Sequence, residues 1–129
     1  MKVKLNAIKK VVEGKRVVVI DDSLVRGTTS KKLVKMLREA GAKEVHFRSA
    51  SPVVKNECYF GIDIATKKEL IGSKMSLEEI REKIDADSLD YLTLENLKLT
   101  LGGTNFCMGC FTGNYPMEVP GEDISLAFE

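Results

Sequence analysis

The sequence predicts an α/β fold with a mostly parallel sheet and an irregular C-terminal region. Three observations carry this. Arg16-Val17-Val18-Val19-Ile20 is a short β-branched apolar run, the mark of a strand buried on both faces of a parallel sheet. Lys31 to Ala40 places Leu33, Val34, Leu37 and Ala40 at helical spacing. Glu44 to Ala50 is a second strand segment of the Val45/Phe47 type. Strand, loop, helix and strand in that order make a βαβ unit.

Each element has a local reason. Gly14 suits a turn before the first strand, and Asp21-Asp22-Ser23 ends that strand with polar groups. Gly27-Thr28-Thr29-Ser30 leads into the helix, and Gly41 is placed to cap its C-terminus. After Pro52 the chain is irregular through Asn56 to Asp63. Ser76-Leu77-Glu78-Glu79 has capping-box spacing and opens a short helix with Ile80 and Ile84 on one face. Tyr91 to Leu94 is a candidate last strand, and Leu94 to Leu101 a short helix ended by Gly102-Gly103. From Thr104 to Glu129 there is little periodicity, and no repeat or low-complexity linker occurs.

The chain has 129 residues and a mass of 14.3 kDa. A chain of this size folds to about 6,800 Å² of surface against about 20,700 Å² unfolded, enough for one core and too little for two ordinary domains. The expected organisation is one domain over residues 1–129. Residues 1–75 hold the βαβ core, and 76–129 hold further helices and a cysteine-containing tail.

Twenty Lys+Arg against nineteen Asp+Glu leave a net charge of +1, so no basic excess points to nucleic acid. The pairs Lys9-Lys10, Lys31-Lys32 and Lys67-Lys68 read as solvated faces. No apolar run approaches the roughly 18 residues of a membrane span. Lys9, Lys10 and Glu13 interrupt any signal-peptide core. A cytoplasmic protein without a membrane partner is expected. Its three cysteines, an odd count, fit a reducing compartment better than a disulfide framework.

The chemistry concentrates in residues 17–30. Asp21 and Asp22 stand at the carboxyl end of a buried parallel strand, the edge at which open α/β sheets bind ligands. A loop with Gly27 and the hydroxyls of Thr28, Thr29 and Ser30 follows and enters a helix N-terminus. Free backbone N–H groups and the helix dipole favour a phosphate there, and Gly27 lets the backbone approach it closely. Two carboxylates beside an anion cradle suit the vicinal hydroxyls of a sugar or a Mg²⁺ ion. Either aspartate taken singly more often just ends a strand and caps a helix. Taken together, the string describes a sugar-phosphate site with a metal. It is neither a Walker A loop nor a G-x-G-x-x-G turn.

Cys107 and Cys110 form a C-x-x-C, which alone is compatible with zinc, an iron–sulfur cluster, a redox pair or coincidence. Cys58 lies about 50 residues upstream and joins them only through the fold. His46, the sole histidine, sits in a strand and reads as packed or solvated.

The string Asp21-Asp22-Ser23-Leu24-Val25-Arg26-Gly27-Thr28-Thr29-Ser30 resembles the phosphoribosylpyrophosphate (PRPP) motif of the type I phosphoribosyltransferases. In this version it resembles the glutamine PRPP amidotransferase (amidophosphoribosyltransferase) family. Other stretches are similar to the same family: 1–6, 36–42, Cys58-Tyr59-Phe60-Gly61-Ile62-Asp63 and Cys107-Met108-Gly109-Cys110-Phe111-Thr112-Gly113-Asn114-Tyr115-Pro116. The resemblance runs from Met1 to about Val119.

The resemblance implies a partial type I phosphoribosyltransferase domain, Rossmann-like in its sheet. It implies that Asp21 and Asp22 meet the ribose hydroxyls of PRPP with Mg²⁺ nearby. Ser23, Arg26, Gly27, Thr28, Thr29 and Ser30 would surround the 5′-phosphate. The family reaction is attack of ammonia on C1 of PRPP, giving 5-phosphoribosylamine and pyrophosphate in de novo purine biosynthesis; no general base is identifiable in this sequence. Purine nucleotides are further expected ligands. The resemblance also makes Cys58, Cys107 and Cys110 three of the four ligands of a 4Fe–4S cluster. The fourth, upstream in the family, has no counterpart here, which leaves zinc or an empty site as alternatives.

The family's glutaminase domain and the first part of its phosphoribosyltransferase domain are also without counterpart. The expectation is therefore a C-terminal piece that self-associates or joins a chain carrying the glutaminase half. A non-catalytic PRPP- or nucleotide-binding module is the alternative.

Overall fold

Three strands lie side by side in chain order, all parallel: β1 (Arg16–Asp21), β2 (Glu44–Ser49) and β3 (Ser88–Tyr91). The computed structural model describes residues 9–62, 66–103 and 105–119. The register sets Val19 opposite Phe47 opposite Leu89, and Asp21 opposite Ser49 opposite Tyr91. Helix α1 (Thr28–Glu39) connects β1 to β2, and α2 (Leu77–Ile84) precedes β3. A 3₁₀ turn at Ile71–Ser73, α3 (Leu94–Leu101) and the single-turn α4 (Gly109–Thr112) follow in the chain or between these elements, and residues 9–12 before β1 are helical too. No helix among the described residues is long and apolar enough to cross a membrane.

The core lies on one face of the sheet. Val45, Phe47 and Leu89 point into it and meet Val34 and Leu37 of α1, Ile80 and Ile84 of α2, and Leu24 and Ile71 from the loops. The sequence suggested a first strand buried on both faces, and the structure corrects this. Val18 is 60% and Ile20 75% exposed, because both core helices cover the same face and, among the described residues, β1 has a neighbouring strand along one edge only. The opposite face carries Glu44, His46 and Arg48 of β2 with Ser88 of β3. The His46 ring bonds Glu44 at 2.9 Å and Ser88 at 2.7 Å, and Arg48 donates to Ser88 at 2.9 Å. His46 is thus a satisfied strand histidine.

Two boundaries differ from expectation. The last strand is Ser88–Tyr91 rather than 91–94. Its pairing with β2 begins at Ser88, and Thr93 already caps α3 by accepting the Asn96 N–H at 3.2 Å. Helix α4 lies in the tail where no periodicity is visible, since a single turn carries none. The capping box is present as expected. Ser76 Oγ accepts the Glu79 N–H at 3.2 Å, and the Glu79 carboxylate accepts the Ser76 N–H at 2.7 Å.

Arg38, at the end of α1, ties the helices to the sheet. Its guanidinium donates to the Asp85 carbonyl at 2.6 and 3.0 Å and to the Asp87 carboxylate at 3.2 Å. Asp87 in turn accepts the Val45 N–H at 2.7 Å, where β2 begins. That N–H bond foremost, and then the charge and hydrogen bond of Arg38, hold the Asp87 carboxyl below its usual range. A carboxylate depressed on folding stabilises above its unfolded pKa and loses that contribution as pH falls through the folded one. Asp87→Asn is expected to cost about 1 kcal/mol at neutral pH, the value of a charge-assisted bond reduced for exposure. The cost should begin to shrink below about pH 4, near the unfolded value, and be lost once pH has fallen past the lowered folded value. Urea melts of both proteins at several pH values check this, and an equal difference at pH 7 and pH 2.5 contradicts it. Gly72 packs on Val53, and a Cβ there would overlap that side chain and stand 2.9 Å from the Val54 carbonyl oxygen. Gly72→Ala is expected to lower stability by about 1–3 kcal/mol, read by the same melts.

Candidate functional site

β1 delivers Asp21 at its last position, with Asp22 next, at the carboxyl edge of the sheet. One oxygen of Asp21 accepts the Asp22 N–H at 3.0 Å. One oxygen of Asp22 accepts the Ser23 N–H at 2.6 Å and the Ser23 hydroxyl at 3.3 Å. A carboxylate has about four acceptor sites, so both keep capacity for a ligand. Leu24 follows and is buried at 2% exposure, anchoring the loop in the core. The Val25 carbonyl accepts the Ile71 N–H at 3.1 Å, and Arg26 pairs with Glu69 at 3.4 Å.

Gly27 adopts φ 78°, the left-handed conformation that favours glycine. A Cβ there would stand 2.9 Å from Ile71 Cδ1, so the tip of that side chain would also have to shift. The first helical bond of α1 is Lys31 N–H to the Gly27 carbonyl at 2.9 Å. The amides of residues 28–30 precede it and have no partner within the helix. The first turn carries no acidic residue and no side-chain cap. Thr28 and Thr29 are exposed, whereas Ser30 is buried. The structure therefore brings Asp21, Asp22, Ser23, Gly27, Thr28 and Thr29 to one edge, beside the amides of α1 that have no helical partner. Ser30 is left to contribute its backbone. Arg26 lies beside the loop, engaged with Glu69.

Two residues at this edge escaped the sequence reading. Glu69 holds Arg26 from 43 positions away, and its irregular segment gives no signal of that contact. Tyr91 lies in register with Asp21 through Ser49. Its hydroxyl is buried without a hydrogen-bond partner, and burial pushes the phenol up to about 12.

The cysteines lie in a second region. The Cys110 carbonyl accepts the N–H groups of Lys55 and Asn56 at 2.9 and 3.0 Å. The Tyr115 hydroxyl donates to the Glu57 carbonyl at 2.7 Å, and its ring meets Tyr59 edge-on at 5.3 Å. Cys58 and Cys110 are half-buried and Cys107 is exposed. Burial first, and then the charge of Cys58, push the Cys110 thiol up.

The two implied metals fare differently. Mg²⁺ is ordinarily held by one or two carboxylates together with substrate phosphates, and Asp21 with Asp22 fit that pattern. A 4Fe–4S cluster takes four thiolates. Among the described residues, no three His, Cys, Asp or Glu side chains are gathered so as to hold a metal ion. Cys58, Cys107 and Cys110 neighbour one another, since the first two both act on the Cys110 thiol, but the sequence has three cysteines, one short of the cluster's set, and by themselves they do not fit it.

No protein-family model matches the sequence. Individual proteins match it closely. It is 55% identical over 125 residues to amidophosphoribosyltransferase 2, chloroplastic, of Arabidopsis thaliana, covering 95% of this chain and 22% of that protein. It is 53% identical over 124 residues to the amidophosphoribosyltransferase of Methanocaldococcus jannaschii, covering 96% of this chain and 26% of the relative. Among solved structures, the glutamine PRPP amidotransferase from B. subtilis complexed with ADP and GMP superposes with a TM-score of 0.81 at 50% identity. That match covers 88% of this chain and 26% of the other. By sequence and by fold this chain is therefore a homologue of the amidophosphoribosyltransferases, and it spans about a quarter of their length.

Proposed function

We propose that this chain supplies the PRPP-binding part of an amidophosphoribosyltransferase-type enzyme. The reaction would join ammonia to C1 of PRPP and release pyrophosphate, giving 5-phosphoribosylamine for purine synthesis. One observation carries this reading: two carboxylates and an uncapped helix N-terminus meet at one sheet edge through the left-handed Gly27. Asp21 and Asp22 accept the ribose hydroxyls. The amides of residues 27–30, with Thr28, Thr29 and Ser23, hold the 5′-phosphate. Arg26 adds positive charge at the rim. Mg²⁺ bound with PRPP would neutralise the pyrophosphate leaving group, held by the same two carboxylates.

The B. subtilis neighbour's complex with ADP and GMP supports purine nucleotides as competing ligands. Three free thiols support a reducing, cytoplasmic compartment.

A second reading is favoured by the edge of β1 that has no neighbouring strand among the described residues. With Val18 and Ile20 exposed beside it, the chain acts as a subunit that self-associates or joins a chain carrying the glutaminase part. Alone, it would then bind PRPP without turnover.

Calorimetric titration of PRPP with Mg²⁺ into the full chain tests the first reading. Micromolar binding is expected. It should weaken at least about tenfold in Asp21→Asn/Asp22→Asn, as charge-assisted bonds of roughly 1.5–3 kcal/mol are lost. Binding unchanged in that variant would sink the assignment. Sedimentation velocity tests the second. The chain should sediment as a dimer or larger, and Val18→Lys/Ile20→Lys should shift it toward monomer. A monomeric wild-type chain at high concentration would remove self-association.

A further inference from the structure

We infer that residues 107–116 are docked on residues 55–60 by a clasp of direct bonds that needs no metal, so this chain departs from the cluster its resemblance implies. Metal-dependent tails of small domains have few contacts of their own and come apart when the ion is removed. This tail has many. The Cys110 carbonyl, not its thiol, takes the two amides of Lys55 and Asn56. The Tyr115 phenol reaches the Glu57 carbonyl, spanning 58 positions of chain. The Tyr115 ring lies so close on Gly109 that a Cβ at that position would overlap ring carbons. Tyr59 meets the same ring edge-on, and Phe60 lies at 6.2 Å from it.

Helix α4 closes on itself as well. Thr112 Oγ1 donates to the Met108 carbonyl at 3.0 Å, the Gly113 N–H donates to the Gly109 carbonyl at 2.7 Å, and Met108 and Gly109 are buried. Every link is made by backbone, phenol or ring. The thiols stand beside this clasp with Cys107 exposed, and three of them are one short of the four thiolates a 4Fe–4S cluster takes.

Hydrogen exchange of the Lys55 and Asn56 amides tests the clasp in the full chain, purified with reductant and a strong chelator. Both amides should be protected in the chelated chain. Protection should change by less than about twofold in Cys58→Ser/Cys107→Ser/Cys110→Ser. It should fall about fivefold in Tyr115→Phe, which removes one hydrogen bond. The β2 amides, followed in the same samples, should stay protected and report that the core is intact. Two results would overturn the inference. One is loss of Lys55 and Asn56 protection in the triple serine variant while β2 stays protected. The other is protection that appears only after anaerobic addition of ferrous iron and sulfide, with about four irons taken up per chain.

Discussion

A parallel strand pair cannot be closed by a hairpin. It needs a crossover that carries the chain back to the opposite end of the sheet. β1 and β2 are parallel, and the crossover is α1. This constraint decides where the chemistry sits. The end of β1, the loop 22–27 and the start of α1 must all fall at the same sheet edge. Carboxylates at the end of an apolar strand and open amides at the start of a helix are then neighbours, without any contact designed between them. Helix N-termini and the carboxyl ends of parallel strands are where open α/β sheets commonly receive anionic ligands.

The loop's position is fixed by burial more than by charge. Arg26 and Glu69 form an ion pair, but both are about half-exposed, and such pairs contribute about 0–1 kcal/mol. Leu24, Ile71 and Ile84 are almost fully buried around the loop, and each contributes roughly 1.5–3 kcal/mol relative to exposure. The apolar contacts therefore hold the backbone of residues 24–27, and the ion pair orients a side chain at the rim. It follows that residues 70–84, remote in sequence, belong to the site's support. They place Ile71 and Ile84 against Gly27, where an added Cβ would crowd the tip of Ile71.

What could be read from the sequence was local. The β-branched run of β1, the spacing of Val34 and Leu37, and the Ser76–Glu79 box each state their own structure within a few residues. The paired aspartates and the Gly27-Thr28-Thr29 turn could be read in the same way, because strand, loop and helix are contiguous. Which face of β1 is covered could not be read, since Val17 to Ile20 are apolar on both sides and the covering helices lie elsewhere in the chain. β3 was displaced by three residues because Leu92 and Leu94 extend the apolar pattern past the point where pairing with β2 stops. The links from Glu69 to Arg26 and from Tyr115 to Glu57 join irregular segments with no periodicity to announce them.

The uncovered face of the sheet is not uniform, and its two halves differ in what they lack. On β2 and β3 it is polar and satisfied: both His46 nitrogens are bonded and Arg48 is engaged with Ser88 and the Phe47 carbonyl. Covering that half would require desolvating charged groups for little apolar gain. On β1 it is apolar, with Val18 and Ile20 exposed next to a strand edge whose backbone groups have no neighbouring strand among the described residues. Edges of this kind pair readily with other chains. The two halves together point to β1 as the place where a partner gains both hydrogen bonds and buried apolar area. That is also the strand that carries Asp21.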